Sequence, residues 1–378
     1  MIRTFNYPLH PTATQESALL RTLSACQQLY NAALEQRIDA YRKQRKTLSN
    51  FDQQKELTAL RKYDSVFSSI SRTVLTSALT RLDRAYGSFF RRVKRGENPG
   101  FPRFRNRDRY RSFSFPFESG TNTIKDNLIR IPVLGLVRFH KYRLIRGTPK
   151  EARVRRTAKG WSLSIVCDIG SAPSKVDIQT STGIDLGLNN YATLANGEQY
   201  TNPRFYRESE ALLIYRQQKL ALKKIGSKSR LKAKRLVGLA HTRIKNQRLD
   251  FLRKLSNILI AKYDLIVYED LKIKNMTHGN LAKSIHDASW GIFINCIKSK
   301  AEEAGKHAIG VNPRGTSQRC SRCATIPVTK KTLADRVHFC ETCGLSLDRD
   351  HNAAINIHAL GLSAVHGVLP GTKLTEVY

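Results

Sequence analysis

Acidic residues are scarce in this chain: 30 Asp and Glu stand against 65 Lys and Arg, a formal charge of +35 over 378 residues. That surplus exceeds what solubility needs, and the natural counter-charge is a polyanion, nucleic acid above all. Long apolar runs are missing as well. No stretch approaches the ~18 apolar residues of a spanning helix, and the first ten residues lack the apolar stretch of a signal peptide, which argues against membrane and secretory classes and predicts a cytoplasmic protein. A disulfide framework is also absent. Four of the seven cysteines fall in two Cys-x-x-Cys pairs near the C-terminus, and Cys26, Cys167 and Cys296 stand alone in apolar surroundings as expected core filler. There is no internal repeat and no low-complexity tract beyond the basic stretches. The length predicts about two to four domains.

Periodicity divides the chain. Thr12-Ala-Thr-Gln reads as a capping box, after which Leu19, Leu23, Cys26, Tyr30 and Ala33 recur at helical spacing. A second stripe of Val74, Ala78, Leu82, Ala85, Phe89 and Val93 ends at Gly96, Pro99, Gly100 and Pro102, so that residues 12–95 read as a helical block. From Arg109 the period becomes two: Phe113, Phe115 and Phe117 alternate with Ser112, Ser114 and Pro116, and further short strand-like runs predict a small antiparallel barrel that the opening residues Ile2 to Tyr7 could join. After a polar linker, residues 171–182, strands over 183–187, 191–195, 264–268 and 307–311 alternate with helical segments, the mark of an α/β sheet. The basic region from Arg204 to Lys254 carries an expected apolar stripe of Leu212, Leu220, Leu236, Leu239 and Leu255. Such a face is often only solvated, but here the excess charge favours contact with phosphates. Arg91 to Arg111 interleaves cations with Phe101, Phe104 and Tyr110, a composition suited to phosphate contact and base stacking.

Cys320-x-x-Cys323 and, after sixteen intervening residues, Cys340-x-x-Cys343 have the spacing of a zinc ribbon. Four thiolates close a tetrahedron, which makes the expected Zn²⁺ structural, and so short a segment with few large apolar side chains needs the ion to fold. Three acids are singled out by position. Asp185 lies in Gly183-Ile-Asp-Leu-Gly, at a strand that turns tightly into the next, Glu269 ends the apolar run from Leu265, and Asp350 begins a helix. Taken singly each has a plain structural reading as turn residue, strand end or N-cap. Together, with no Lys or Arg directly after either strand carboxylate, they suit a divalent cation, and hard oxygen donors select Mg²⁺ or Mn²⁺.

Seven stretches stand out in order along the chain: Leu9-His-Pro-Thr, Leu29-Tyr-Asn-Ala-Ala-Leu, Gly100-Phe-Pro-Arg-Phe-Arg, Gly183-Ile-Asp-Leu-Gly, Val267-Tyr-Glu-Asp-Leu, Thr316-Ser-Gln-Arg-Cys-Ser-Arg-Cys and the run from Cys343 to Ile357 containing Asp348-Arg-Asp-His-Asn-Ala-Ala. In these the chain resembles the TnpB (OrfB) family of insertion-sequence proteins, RNA-guided DNA endonucleases related to type V CRISPR effectors. The resemblance implies a multi-domain protein with α/β, all-β and α parts. Residues 1–11 and 108–178 would form an oligonucleotide-binding β-barrel (the wedge), residues 12–107 an inserted helical recognition domain, and residues 179–316 and 344–363 an RuvC (RNase H-like) nuclease core. Residues 317–343 would be a zinc-ribbon, target-nucleic-acid-binding insert and residues 364–378 a tail. It further implies that Asp185, Glu269 and Asp350, with Asp348 as rival for the third place, hold two Mg²⁺ or Mn²⁺ ions for phosphodiester hydrolysis. The implied partners are a guide RNA from the transposon end and a double-stranded DNA target beside a short flanking motif. The protein is expected to be monomeric, prokaryotic and nucleoid-associated when bound to DNA. Ala324 departs from the family's usual Gly after the first cysteine pair. Three other readings stay open: a catalytically silent RNA-guided repressor, a strand-transfer transposase with the same fold and metals, and a zinc-ribbon RNA-binding protein without activity.

Overall fold

The computed structural model describes residues 1–117, 124–132, 134–328, 331–332 and 335–366. The chain divides into two compact units, Met1–Ser171 and Ala172–Tyr378. The first opens with β1 (Ile2–His10) and continues through α1 (Ala13–Gln44), α2 (Asn50–Tyr63), α3 (Ser65–Ser68) and α4 (Arg72–Lys94). Six more strands follow: β2 (Ser112–Pro116), β3 (Ile124–Lys125), β4 (Leu128–Ile131), β5 (Gly135–Phe139), β6 (Thr148–Thr157) and β7 (Gly160–Asp168). They form one seven-stranded sheet in the order β2-β6-β7-β1-β5-β4-β3, antiparallel throughout. The N-terminal strand thus lies between β7 and β5, with all four helices inserted between it and β2. Among the described residues β2 and β3 do not pair with each other, so the backbone bonding gives an open sheet where the sequence suggested a barrel.

Alternation decides which face of this sheet is dry. Phe5, Tyr7, Leu9, Phe113, Phe115, Val154, Leu163 and Ile165 are all buried, and they share one core with Leu19, Leu23, Cys26, Tyr30 and Ala33 of α1 and Val74, Ala78 and Leu82 of α4. Each fully buried aromatic or leucine contributes roughly 1.5–3 kcal/mol. The expected capping box is present, Gln15 N donating to Thr12 Oγ1 at 3.3 Å and Thr12 N to Gln15 Oε1 at 3.1 Å. Two expectations fail here. The α4 stripe leaves the core after Leu82, with Val93 exposed, because the helix outruns the sheet it packs on; Tyr110 is buried under Arg81 and beside Tyr30, out of reach of a stacking base, while Phe101 and Phe104 are exposed.

The second unit holds β8 (Ser181–Leu186), β9 (Asn190–Leu194), β10 (Gln199–Thr201), α5 (Phe205–Ala221), α6 (Lys228–Lys262), β11 (Leu265–Glu269), α7 (Ile273–Met276), α8 (Ala282–Ala288), α9 (Trp290–Glu303) and β12 (His307–Val311). A small hairpin of β13 (Val337–Phe339) and β14 (Ser346–Asp348) leads into α10 (Arg349–His366). The five-stranded sheet has the order β10-β9-β8-β11-β12, with β11 parallel to both neighbours and β8, β9 and β10 antiparallel. β11 is buried on both faces, which is why Leu265 to Tyr268 form an unbroken apolar run. Ile266 and Tyr268 pack with Leu252, Leu255 and Leu259 of α6 and Phe293 and Ile297 of α9, while Leu265 and Val267 pack with Ile357 of α10. No helix of the described residues is long and apolar enough to cross a membrane.

Several boundaries move. The basic region is two helices parted at Gly226 in the left-handed conformation, so the helical phase resets; Leu213 faces inward on α5, and Leu212 and Leu236 of the expected stripe are exposed. Residues 172–178 go with the second unit and not with the first, because Val176 N donates to the Gly305 carbonyl at 2.9 Å and Ile178 packs on the β11 core. Helix α10 runs past residue 363 to His366; the remainder of the expected tail, 367–378, lies outside the described residues. Of the lone cysteines, Cys26 and Cys167 are buried and Cys296 is only half-buried.

Asp264 ties three strand starts together. Its Oδ2 accepts from Gln179 N (3.3 Å), Thr180 N (3.1 Å) and Thr180 Oγ1 (2.9 Å), and its Oδ1 lies 3.2 Å from Lys306 Nζ. Desolvation would raise its pKa, but these bonds outweigh it and hold the carboxyl below its ordinary value. Asp264→Asn is therefore expected to cost about 1.5–3 kcal/mol in urea unfolding at neutral pH. A depressed folded-state pKa gives stability present above the unfolded pKa of about 4, so the difference from wild type should shrink as pH falls through and below that value.

Candidate active site and cysteine knuckle

Parallel pairing of β8 and β11 sets their C-terminal ends side by side, the end of an α/β sheet where ligands are bound. Ile184 pairs with Tyr268, so Asp185 and Glu269 are each one residue beyond that pair. Helix α10 brings the third acid. Gly183 has no room for a side chain, since a Cβ there would stand 2.3 Å from the Ala354 carbonyl oxygen and 2.5 Å from His358 N; a Cβ on Gly361 would stand 2.1 Å from Val267 Cγ2. Two missing side chains thus let α10 lie directly against β8 and β11, and Ser181 Oγ with His358 Nε2 (2.8 Å) and His351 Nε2 with the Ala195 carbonyl (3.0 Å) fix its register. Gly187 completes the arrangement: its amide donates to the Tyr191 carbonyl at 3.3 Å in the turn to β9, and its hypothetical Cβ would lie 3.8 Å from Asp350 Oδ2.

Asp348 and Asp350 are separated by their hydrogen bonds. Asp348 Oδ1 accepts from Asp350 N at 2.9 Å and His351 N at 3.0 Å, the N-cap of α10. Asp350, in the first helical turn, turns its carboxylate over Gly187 toward Asp185. Burial pushes the Asp185 carboxyl well above the ordinary carboxylate range, and Glu269, Asp350 and, more weakly, Asp348 push it further; the Arg349 guanidinium opposes them. Arg349 Nε lies 3.5 Å from Asp350 Oδ1. Burial also raises Glu269, against the hydrogen bond that Thr316 Oγ1 donates to its Oε1 at 2.5 Å. Three desolvated carboxylates with one nearby arginine are costly unless a cation joins them.

The four cysteines are the group of metal-ligating side chains that, among the described residues, gathers within 4.8 Å. Sulfur separations of 3.6 Å (Cys320 to Cys343) and 3.5 Å (Cys323 to Cys340) approach the edge of about 3.8 Å that a tetrahedron with Zn–S near 2.3 Å requires. The side-chain and backbone hydrogen bonds of Thr325 hold the Cys323 thiol down to about 6. The Leu345 backbone acts the same way on Cys343, but desolvation and proton sharing among the sulfurs push it up to about 12. Such a set fits a cation that lets all four ionise. Each knuckle closes by the same turn: Ala324 N bonds the Cys320 carbonyl at 3.0 Å and Gly344 N bonds the Cys340 carbonyl at 2.8 Å.

Several motif residues with no expected chemical role prove to be structural ties. Asn352 and Asn356, one turn apart on α10, are buried; Asn352 Nδ2 and Asn356 Nδ2 each donate to the Arg319 carbonyl at 2.8 Å, Asn356 Nδ2 also to the Thr316 carbonyl at 2.8 Å, and Asn352 Oδ1 accepts from Ser321 N at 2.9 Å. Sequence reasoning gave these and Thr316 no function; polar residues on the inner face of an otherwise apolar helix were the signal available.

Comparison with known proteins gives three family models along the chain: "Probable transposase" (OrfB_IS605) over residues 164–279, "Cas12f1-like, TNB domain" over 290–357, and "Helix-turn-helix domain" (HTH_OrfB_IS605) over 1–46. The last span is here a strand and one long helix. A "Putative RNA-guided DNA endonuclease" of Streptomyces pristinaespiralis is 31% identical over 373 residues, 96% of this chain and 90% of the relative. "Putative RNA-guided DNA endonuclease InsQ" of Escherichia coli K12 is 27% identical, covering 99% and 95%. The "CRISPR-associated endodeoxyribonuclease Cas12f1" of Sulfoacidibacillus thermotolerans is 28% identical over 52% of this chain and 49% of its own. Among solved structures, a Cas12f1–sgRNA–target DNA complex matches with TM-score 0.58 at 15% identity, covering 92% and 83%, and the mini-RNA-guided endonuclease CRISPR-Cas_phi3 with 0.52 at 11%, covering 99% and 93%; both likenesses concern the fold.

Ala324 occupies the left-handed region with φ 63°, where its counterpart Gly344 has φ 71°. An L side chain costs about 1–2 kcal/mol there. Ala324→Gly is expected to recover about 1 kcal/mol and to slow zinc loss to a chelator, followed by the release of metal to a colorimetric dye.

Proposed function

We propose, from the premise that this chain belongs to the TnpB (OrfB) family and is related to the type V CRISPR effectors, that it is an RNA-guided DNA endonuclease cutting at Asp185, Glu269 and Asp350. The observation that carries this reading is the convergence of the three acids from β8, β11 and α10 at one end of a parallel strand pair, short of positive charge. Mg²⁺ or Mn²⁺, two ions when bound, activate water near neutral pH and stabilise the departing oxygen of a phosphodiester. Asp185, Glu269 and Asp350 would hold these ions, Asp185 being the acid whose carboxyl both others influence. Zn²⁺ on Cys320, Cys323, Cys340 and Cys343 has every position filled by sulfur and serves structure.

In this reading the second unit is the RuvC-like, RNase H-like nuclease domain with its zinc-ribbon insert for target nucleic acid. The seven-stranded sheet is the wedge, and α1 to α4 form the recognition domain. Sequence is read by pairing of a guide RNA from the transposon end with DNA beside a short flanking motif, so the protein needs mainly backbone contacts. The second unit offers a cleft of about 310 Å³ lined by Tyr206, His241, Lys245 and His286 together with Arg248 and Lys283, which are paired with Asp287 and Glu210, so Lys245 is its candidate phosphate contact. Such a protein acts on DNA in the prokaryotic cytoplasm, as a monomer. The transposase description of one family model favours strand transfer as a second reading, and an assay on joined transposon ends separates the two.

Asp185→Ala, Glu269→Ala and Asp350→Ala are each expected to abolish Mg²⁺-dependent cutting of guide-matched DNA while gel-shift affinity persists; normal cutting by any one removes that residue from the centre. Lys245→Glu is expected to weaken binding of all sequences alike and to flatten the plot of log K against log salt by about 0.9 for each duplex phosphate no longer neutralised.

A further inference from the structure

One buried side chain of the second unit touches the proposed cutting centre without being an acid. Thr316, 4% exposed, lies in the turn after β12, and its hydroxyl proton faces two acceptors: Glu269 Oε1 at 2.5 Å and the Pro313 carbonyl at 3.1 Å. The shorter, charge-assisted bond dominates. It occupies Oε1 and leaves Oε2 to a cation. Glu269 is the last residue of β11, so its side chain extends beyond the strand, and three rotatable bonds separate its carboxylate from the ordered backbone. Repulsion from Asp185 would favour rotamers that point away. A fixed donor at Oε1 opposes that escape.

Thr316 is itself held. Its carbonyl accepts from Asn356 Nδ2 at 2.8 Å, and the same amide bonds the Arg319 carbonyl next to Cys320. Asn356 is on α10, the helix whose first turn carries Asp350. One rigid element therefore supports two of the three acids, Asp350 directly and Glu269 through Thr316, and anchors the first cysteine knuckle to both. Valine would match threonine in shape but lose both the Glu269 and the Pro313 bonds of the hydroxyl, so the conservative Thr316→Ser is the control that separates the two roles.

We propose that Thr316 is a positioning residue for Glu269, preorganising the carboxylate for a divalent cation. This inference rests on the reading of Asp185, Glu269 and Asp350 as metal ligands. The test measures Mn²⁺ binding to the full-length, zinc-loaded chain without nucleic acid, by electron paramagnetic resonance of the free ion, for wild type, Asp185→Ala, Thr316→Val and Thr316→Ser. Outer partners of metal ligands typically govern 10–100-fold in affinity or activity, so Thr316→Val should weaken Mn²⁺ by about that factor. Thr316→Ser, which keeps the hydroxyl, should stay near wild type, and both should keep their zinc and their thermal transition. Cutting by the guide-loaded protein should fall in kcat with KM for DNA unchanged. Wild-type Mn²⁺ affinity in Thr316→Val overturns the proposal, as does weakened binding that Thr316→Ser fails to rescue or that comes with loss of zinc or of the transition, since Thr316 would then be structural. Mn²⁺ affinity in the wild type that Asp185→Ala leaves intact, or no affinity at all, instead sinks the underlying reading of the three acids.

Discussion

Mutual repulsion among three desolvated carboxylates is the constraint on which the second unit is built. Left to themselves, Asp185, Glu269 and Asp350 would separate, protonate or draw in water, and the Asp185 carboxyl is raised first by its burial and then by the two other acids. What resists it is hydrogen bonding and close packing: two parallel strands hydrogen-bonded in register and a helix pressed onto them where Gly183 and Gly361 lack side chains. The acids are thus held together by the frame and not by attraction to each other. The crowded thiols of the knuckle are under the same pressure, since sulfurs 3.5–3.6 Å apart cannot all ionise alone.

Much of this was legible in the sequence because the signals were local. The capping box at Thr12, the alternation through Phe113 and Phe115, the apolar run ending at Glu269 and the cysteine spacing each involve residues close in sequence, and each has a direct structural counterpart. The three acids were grouped by their positions on the α/β pattern, and the family resemblance strengthened that grouping. What failed was phase and reach. The stripe assumed for the basic region ran through the break at Gly226, and the one on α4 continued beyond the sheet edge, because periodicity says nothing of where a partner surface ends. Tyr110 sits in a basic run that suggested exposure, yet its ring fills the space between Arg81 and Tyr30.

The polar residues of α10 were the least legible and carry the most. Asp348 and Asp350 look equivalent in sequence, and only backbone geometry makes one a cap and the other a member of the carboxylate cluster. Asn352 and Asn356 fall on the helix face that periodicity would fill with apolar side chains; their amides instead satisfy carbonyls of an irregular segment that has no strand or helix of its own.

That arrangement has a consequence for how the knuckle can vary. On one side it is bolted to α10 through Asn352, and on the other β14 runs straight into the same helix, while Gln318 and Lys331 exchange paired backbone and amide bonds of 2.9 Å across its base. The turn through Ala324 and Thr325 is fixed by its bonds to Cys320 and Cys323, whereas the Gln318–Lys331 pair does not depend on how many residues lie between Thr325 and Lys331. Because doubling such a connection costs only about 0.6 kcal/mol in closure entropy, that part can be lengthened or exchanged as a cassette while the cysteines and α10 stay where they are.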